Sequence, residues 1–174
     1  MKTTTVLAAA LLAALAAPAF ADSVTVTINQ LSEQGVGKAI GTIKAEDSKD
    51  GLVLTTNLKG LAPGDHGFHM HENPSCDAKE KDGKKVAGLA AGGHHDPSKS
   101  SKHLGPKGQG HLGDLPKLVA AKDGSTNVRL VAPRLKVADL KGRSLMIHEG
   151  GDNYSDDPKP LGGGGGRFAC GVVK

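Results

Sequence analysis

Ser23-Val24-Thr25-Val26-Thr27-Ile28-Asn29 alternates apolar and polar residues without a break. That two-residue period is the mark of a strand with one buried face. Working outward, Gly37–Ala45, Leu52–Leu58, His66–His71, Leu118–Ala121, Val128–Ala132, Leu145–His148 and Arg167–Val173 read as further strands. Ser48-Lys49-Asp50-Gly51 and Ala121-Lys122-Asp123-Gly124 read as hairpin turns, because Asp-Gly tolerates positive φ. No long stretch after residue 22 carries a 3.6-residue apolar period. The chain is therefore expected to be all-β, an antiparallel sandwich or barrel of short strands.

The first 21 residues stand apart. Lys2 is followed by an apolar run from Val6 to Ala17, and Ala19-Phe20-Ala21 has the small-x-small form of a cleavage site. Residues 1–21 read as a secretory signal peptide, and residues 22–174 as one domain. The run is shorter than the roughly 20 residues of a spanning helix, and no membrane anchor is expected. The remaining 153 residues lack Trp and keep only Phe68, Phe168 and Tyr154 as aromatics. Their core must be aliphatic and thin. Cys76 and Cys170, an even count in an exported chain, could staple it. A bridge would close a loop of 94 residues, about 4–5 kcal/mol in the chain-entropy model. Two free thiols are the alternative; a thiol-redox role would need a Cys-x-x-Cys that is absent.

Two segments break the strand rhythm. Gly92–Pro116 has three large apolar residues and is rich in Gly, Pro, Ser, Lys and His. A loop so long in a compact domain is functional or disordered, and metal ligation would organise it. The second runs from His148 to Arg167 and holds five glycines at 162–166. No Gly-Lys-Ser/Thr follows, so a phosphate cradle is a poor reading. Glycine's freedom lets a backbone turn tightly beside a site, and Arg167 and Cys170 follow at once.

Six of the eight histidines fall in a ligand-like pattern. His69 and His71 flank Met70 on a strand, so their imidazoles share a face and Met70 points into the packing. His66 has the parity of Met70 and is expected inside, hydrogen-bonded to backbone. His94, His103, His111 and Asp114 offer three nitrogens and a carboxylate, which suits a closed tetrahedral Zn²⁺ site. His95 reads as a solvated bystander. His69, His71 and His148 suit Cu(II), with His94 as the fourth nitrogen shared between two ions.

Gly67-Phe68-His69-Met70-His71, Gly92-Gly93-His94, His103-Leu104-Gly105-Pro106, Gly110-His111-Leu112-Gly113-Asp114-Leu115, Leu145-Met146-Ile147-His148 and Gly166-Arg167-Phe168-Ala169-Cys170-Gly171 together resemble the bacterial periplasmic copper/zinc superoxide dismutases, in order and spacing over essentially the whole mature chain. The resemblance implies an eight-stranded Greek-key β-barrel with long metal-binding and glycine-rich loops. It implies one copper ion per subunit on His69, His71, His94 and His148, and one zinc ion on His94, His103, His111 and Asp114. It implies a Cys76–Cys170 disulfide, Arg167 as an anion guide beside copper, and Asp152 as a carboxylate linking a copper histidine to a zinc histidine. The implied reaction is dismutation of superoxide to dioxygen and hydrogen peroxide at a redox-cycling copper, in the periplasm, with His94 also passing a proton. The subunit would be a monomer or a homodimer.

Lys79, Lys81, Lys84 and Lys85 could add to anion steering. Asp77, Glu80 and Asp82 lie among them, and the stretch reads as a solvated charged loop. A metal carrier would need neither an anion guide nor a second, redox-silent ion. A zinc hydrolase needs an open zinc position, and the loop series fills all four. Dispersed basic residues and almost no stacking aromatics speak against nucleic-acid binding.

Overall fold

The computed structural model describes residues 22–174. The expected signal peptide, residues 1–21, lies outside them. The strands are β1 (Ser23–Ser32), β2 (Gly35–Ser48), β3 (Gly51–Leu58), β4 (Gly64–His66), β5 (Phe68–His71), β6 (Lys79–Lys81), β7 (Lys84–Val86), β8 (Leu118–Ala120), β9 (Arg129–Ala132), β10 (Arg143–His148) and β11 (Arg167–Val173). A curled antiparallel sheet runs β5-β10-β11-β1-β2-β3-β9, and β4 pairs with β8. The crossovers that set β3 beside β9, β10 beside β5 and β11 beside β1 are those of a Greek key. β4 and β5 form one strand bent at Gly67, so eight strands make the barrel. This is the expected all-β architecture.

The alternation of β1 places Val26 and Ile28 in the core, which Ile43, Leu54, Phe68, Leu118, Leu145 and Ile147 complete. Of these only Phe68 is aromatic, as the composition requires. Cys76 and Cys170 are bonded, and with Leu31, Ala91 and Met146 they form a smaller second cluster. No helix of the described residues is long and apolar enough to cross a membrane.

One expectation changes. The charged Asp77–Lys85 stretch is no simple loop: β6 and β7 form a hairpin standing outside the barrel. Its turn is Asp82-Gly83, with both residues at positive φ (54° and 74°), the conformation that matches strand twist. Its lysines are exposed. A four-residue helix, α1 (Val137–Leu140), also forms, with the Asp139 side chain accepting the Lys136 N–H at its start.

The fold places the site through the free edge of β5. One edge pairs with β10. On the other, Met70 N–H donates to Gly113 O, Met70 O accepts His95 N–H, Glu72 N–H donates to Gly93 O, and Leu115 N–H donates to Phe68 O. Both ends of the 92–116 loop are thus stitched to β5 by main-chain bonds, setting His94 opposite His71 and Asp114 opposite His69.

Candidate metal centre

Strand parity puts His69 and His71 on one face and buries Met70 on the other. His148 ends β10, where the register with β11 shifts between Ile147 and His148 and leaves His148 opposite Arg167. Such a bulge re-aims a side chain and is typical beside functional sites. His66 lies inside, its ring nitrogens 2.7 Å from His148 O and 2.8 Å from Ala62 O, a structural histidine as expected. His95 is half-buried and joins no ligand group.

Ligand atoms of His69, His71, His94 and His148 lie within 4.8 Å of one another, and so do those of His94, His103, His111 and Asp114. All seven residues are buried. On the first set each outer nitrogen is taken: His69 Nε2 by Asp152 Oδ2 (2.8 Å), His71 Nδ1 by Gly92 O (2.9 Å) and His148 Nδ1 by Gly165 O (3.3 Å). The nitrogens left over, His69 Nδ1, His71 Nε2, His94 Nε2 and His148 Nε2, are buried without a hydrogen-bond partner. Buried polar atoms without partners are rare in folded proteins. Four of them facing each other fit a nitrogen-preferring ion such as Cu(II).

The second set centres on Asp114. Its Oδ1 lies 3.1 Å from His94 Nδ1, 3.0 Å from His103 Nδ1 and 3.3 Å from His111 Nδ1. The His103 approach lacks hydrogen-bond alignment. A tetrahedron with corners about 2.0 Å from its centre has edges of about 3.3 Å, so the spacing suits Zn²⁺. Only His94 serves both sets, one ring nitrogen on each side.

Asp152 spans the two. Its Oδ2 faces His69, while its Oδ1 accepts His103 Nε2–H (2.8 Å) and Tyr154 N–H (2.8 Å). Gly162, at φ +72°, presses on this carboxylate, and a Cβ there would meet Asp152 and come within 2.9 Å of His103 Nε2. That is the tight glycine turn expected of the 162–166 run. Arg167 is half-buried, its guanidinium donating to Gly88 O and to Gly92 O (2.6 Å). Gly92 O therefore accepts from both the His71 imidazole and the arginine.

Three contributors went unnoticed in the sequence. Asp156 accepts His103 N–H (2.8 Å) and Leu161 N–H (3.1 Å), tying the glycine-rich segment to the loop. Tyr154, at φ 59°, accepts Lys117 N–H on its hydroxyl and lays its ring on Gly105. Arg134 reaches the loop's carbonyls. Asp156 and Tyr154 bond main-chain groups, so no side-chain motif marks them; Asn153-Tyr154-Ser155-Asp156 following Asp152 was the available signal.

Burial holds His69 and His71 well below the ordinary imidazole range, and the neighbouring His94 and His148 add to it. Burial, with His94 next, lowers His148 to about 4. Burial also lowers His94, although Asp114 pulls the other way. His103 is the exception: burial opposes its charge, but Asp114 and Asp152 outweigh it and raise His103 to about 9. The metal-free protein thus keeps a proton on His103 at neutral pH, whereas His69, His71 and His148 are neutral and ready to ligate. Ligands must lose their protons to bind a metal. Zinc uptake at pH 7.5 is expected to release about one proton, and the release should vanish as pH rises beyond 9. Titration calorimetry in buffers of different ionisation enthalpy measures it; no release at pH 7.5 would show that His103 is already neutral.

Fold and site define a Greek-key β-barrel with two adjoining candidate metal groups that have one histidine in common. The copper/zinc superoxide dismutase (SODC) family model matches residues 39–173. A superoxide dismutase [Cu-Zn] of Brucella abortus is 56% identical over 161 residues, covering 92% of this chain and 93% of that protein. One from Escherichia coli K12 is 52% identical, with 92% and 93% covered. Among solved structures, the Cu/Zn superoxide dismutase from Brucella abortus superposes with a TM-score of 0.87 at 55% identity, covering 88% of this chain and 100% of the other. The monomeric copper, zinc superoxide dismutase from Salmonella enterica gives 0.80 at 56%, with the same coverage. The chain belongs to the copper/zinc superoxide dismutase family, which binds copper and zinc.

Proposed function

We propose that this chain dismutates superoxide with copper on His69, His71, His94 and His148 and zinc on His94, His103, His111 and Asp114. Copper, when bound, supplies the one-electron chemistry that converts two superoxide anions into dioxygen and hydrogen peroxide, while zinc is redox-silent. The remaining work falls to side chains. Arg167 presents a permanent positive fork beside His148 and draws in a small anion. His94 commits Nδ1 to the Asp114 side, which leaves Nε2 as the atom that can hold a proton and pass it to product. Asp152 fixes the tautomers of His69 and His103 together. The observation that carries the reading is the set of four partnerless, buried ring nitrogens, one of them on a histidine whose other nitrogen faces Asp114.

Residues 1–21 are proposed as the export signal and residues 22–174 as the mature periplasmic domain. The Cys76–Cys170 bond, which suits an oxidising compartment, supports this. The relative from Salmonella enterica is described as monomeric, which favours a monomer here over a homodimer.

The test is reconstitution of metal-free protein. One copper and one zinc per chain are expected, with rapid superoxide consumption. In His94→Ala the copper spectrum should change and zinc should bind more weakly. A single ion in the loaded protein, or no superoxide consumption, overturns the reading.

A further inference from the structure

Arg134 follows β9 in the chain and belongs to neither ligand set. Among the described residues it has no carboxylate partner. Its guanidinium is spent on one short stretch of main chain. Nη1 donates to Gly108 O and to Gly110 O (3.3 Å), and Nη2 donates to His111 O. Three carbonyl dipoles converging on one point repel one another unless a cation lies between them. A planar fork of fixed donors meets that need better than a point charge.

The stretch has little else to hold it. Residues 108–111 lie outside every helix and strand, and their other main-chain bonds are Gly108 N–H to Gly105 O (3.3 Å), His111 N–H to Lys102 O (2.9 Å) and a long one from Asp114 N–H to His111 O (3.4 Å). Gly108 and Gly110 pack so tightly that a Cβ on either would strike Leu104. His111 is gripped on both sides, its N–H by Lys102 O and its C=O by Arg134, with the more distant Asp114 N–H as a second donor.

We infer that Arg134 is a positioning residue for the zinc site, an internal cation that gathers the carbonyls of residues 108–111 and so sets His111 Nδ1 at its place beside Asp114. The inference rests on the assignment of His111 to zinc. Holding a ligand in place beforehand removes an ordering cost from binding. Without Arg134 the ion itself must order the segment. The copper side is touched only through the shared His94, because its other three residues, His69, His71 and His148, lie on β5 and β10.

The test compares metal-free wild type, Arg134→Met, Arg134→Lys and His111→Ala, each titrated with Zn²⁺ and, as a visible reporter of the same site, Co²⁺. Arg134→Met is expected to weaken zinc about 10–100-fold, as loss of an outer partner of a metal ligand does. Its zinc-induced rise in Tm should shrink in step, since that rise follows from affinity. Arg134→Lys should fall between, because an ammonium reaches fewer of the carbonyls, and it carries the test should Arg134→Met not fold. If both variants lower Tm equally with and without zinc and leave zinc affinity and the Co²⁺ spectrum unchanged, Arg134 is merely structural and the inference falls. If His111→Ala keeps wild-type zinc affinity, the ligand assignment itself is wrong and the inference falls with it.

Discussion

Arg167→Glu is expected to slow superoxide consumption about 10–10³-fold at low ionic strength. Among the described residues no carboxylate pairs with Arg167; its partners are the neutral carbonyls of Gly88 and Gly92. Its charge is therefore not cancelled and acts on an approaching anion. The bulge at His148 sets Arg167 opposite this proposed copper ligand, so on the proposed reading its attraction is directed at the copper site. Glutamate reverses the sign and repels the substrate. Salt should slow the wild type and speed the variant, since screening weakens attraction and repulsion alike. Rates by pulse radiolysis from low to high salt, with metal content checked, decide it. An unchanged rate at low salt would remove Arg167 from substrate capture.

The second large effect is expected from breaking the disulfide. Replacing Cys76 and Cys170 with serine should cost about 2–5 kcal/mol of folding stability, read from denaturant midpoints of the metal-free protein. The closed loop is long, 94 residues, and an almost wholly aliphatic core has little to spare. Activity should suffer as well. Asp77 O accepts Ala90 N–H (3.0 Å), and Asn73 bonds the carbonyls of Ala90 and Ala91. That short turn lies between Gly88 and Gly92, the two carbonyls that hold Arg167. Freeing Cys76 loosens the turn and the arginine with it. A double variant with wild-type midpoint and rate would reduce the bond to a bystander.

The eight barrel strands were legible because a thin core must alternate strictly, and β1 does so from Val24 to Ile28. The two metal groups were legible because histidines cluster for few other reasons, and the structure brings together the residues expected. The β6–β7 hairpin was hidden by its charges, although Asp82-Gly83 carried the turn signal. The loop's attachment to β5 was hidden for a different reason. The loop's composition points to metal ligation as the organiser of residues 92–116, yet backbone bonds to Met70, Phe68 and Glu72 hold both ends of the loop. Backbone pairing leaves no trace in side-chain identity. Arg134 and Tyr154 escaped likewise, each acting on main-chain atoms more than 20 residues away.

The oxygen of Gly92 has a consequence for how this molecule fails. It receives both the Nδ1–H of His71 and the Nη2–H of Arg167. Damage that shifts this one peptide would loosen both the proposed copper ligand His71 and the proposed anion guide Arg167 in a single event. Partly impaired molecules, loaded with metal but deaf to their substrate, should therefore be scarce in an ageing or heat-stressed population. Lost turnover ought to track released copper nearly one for one.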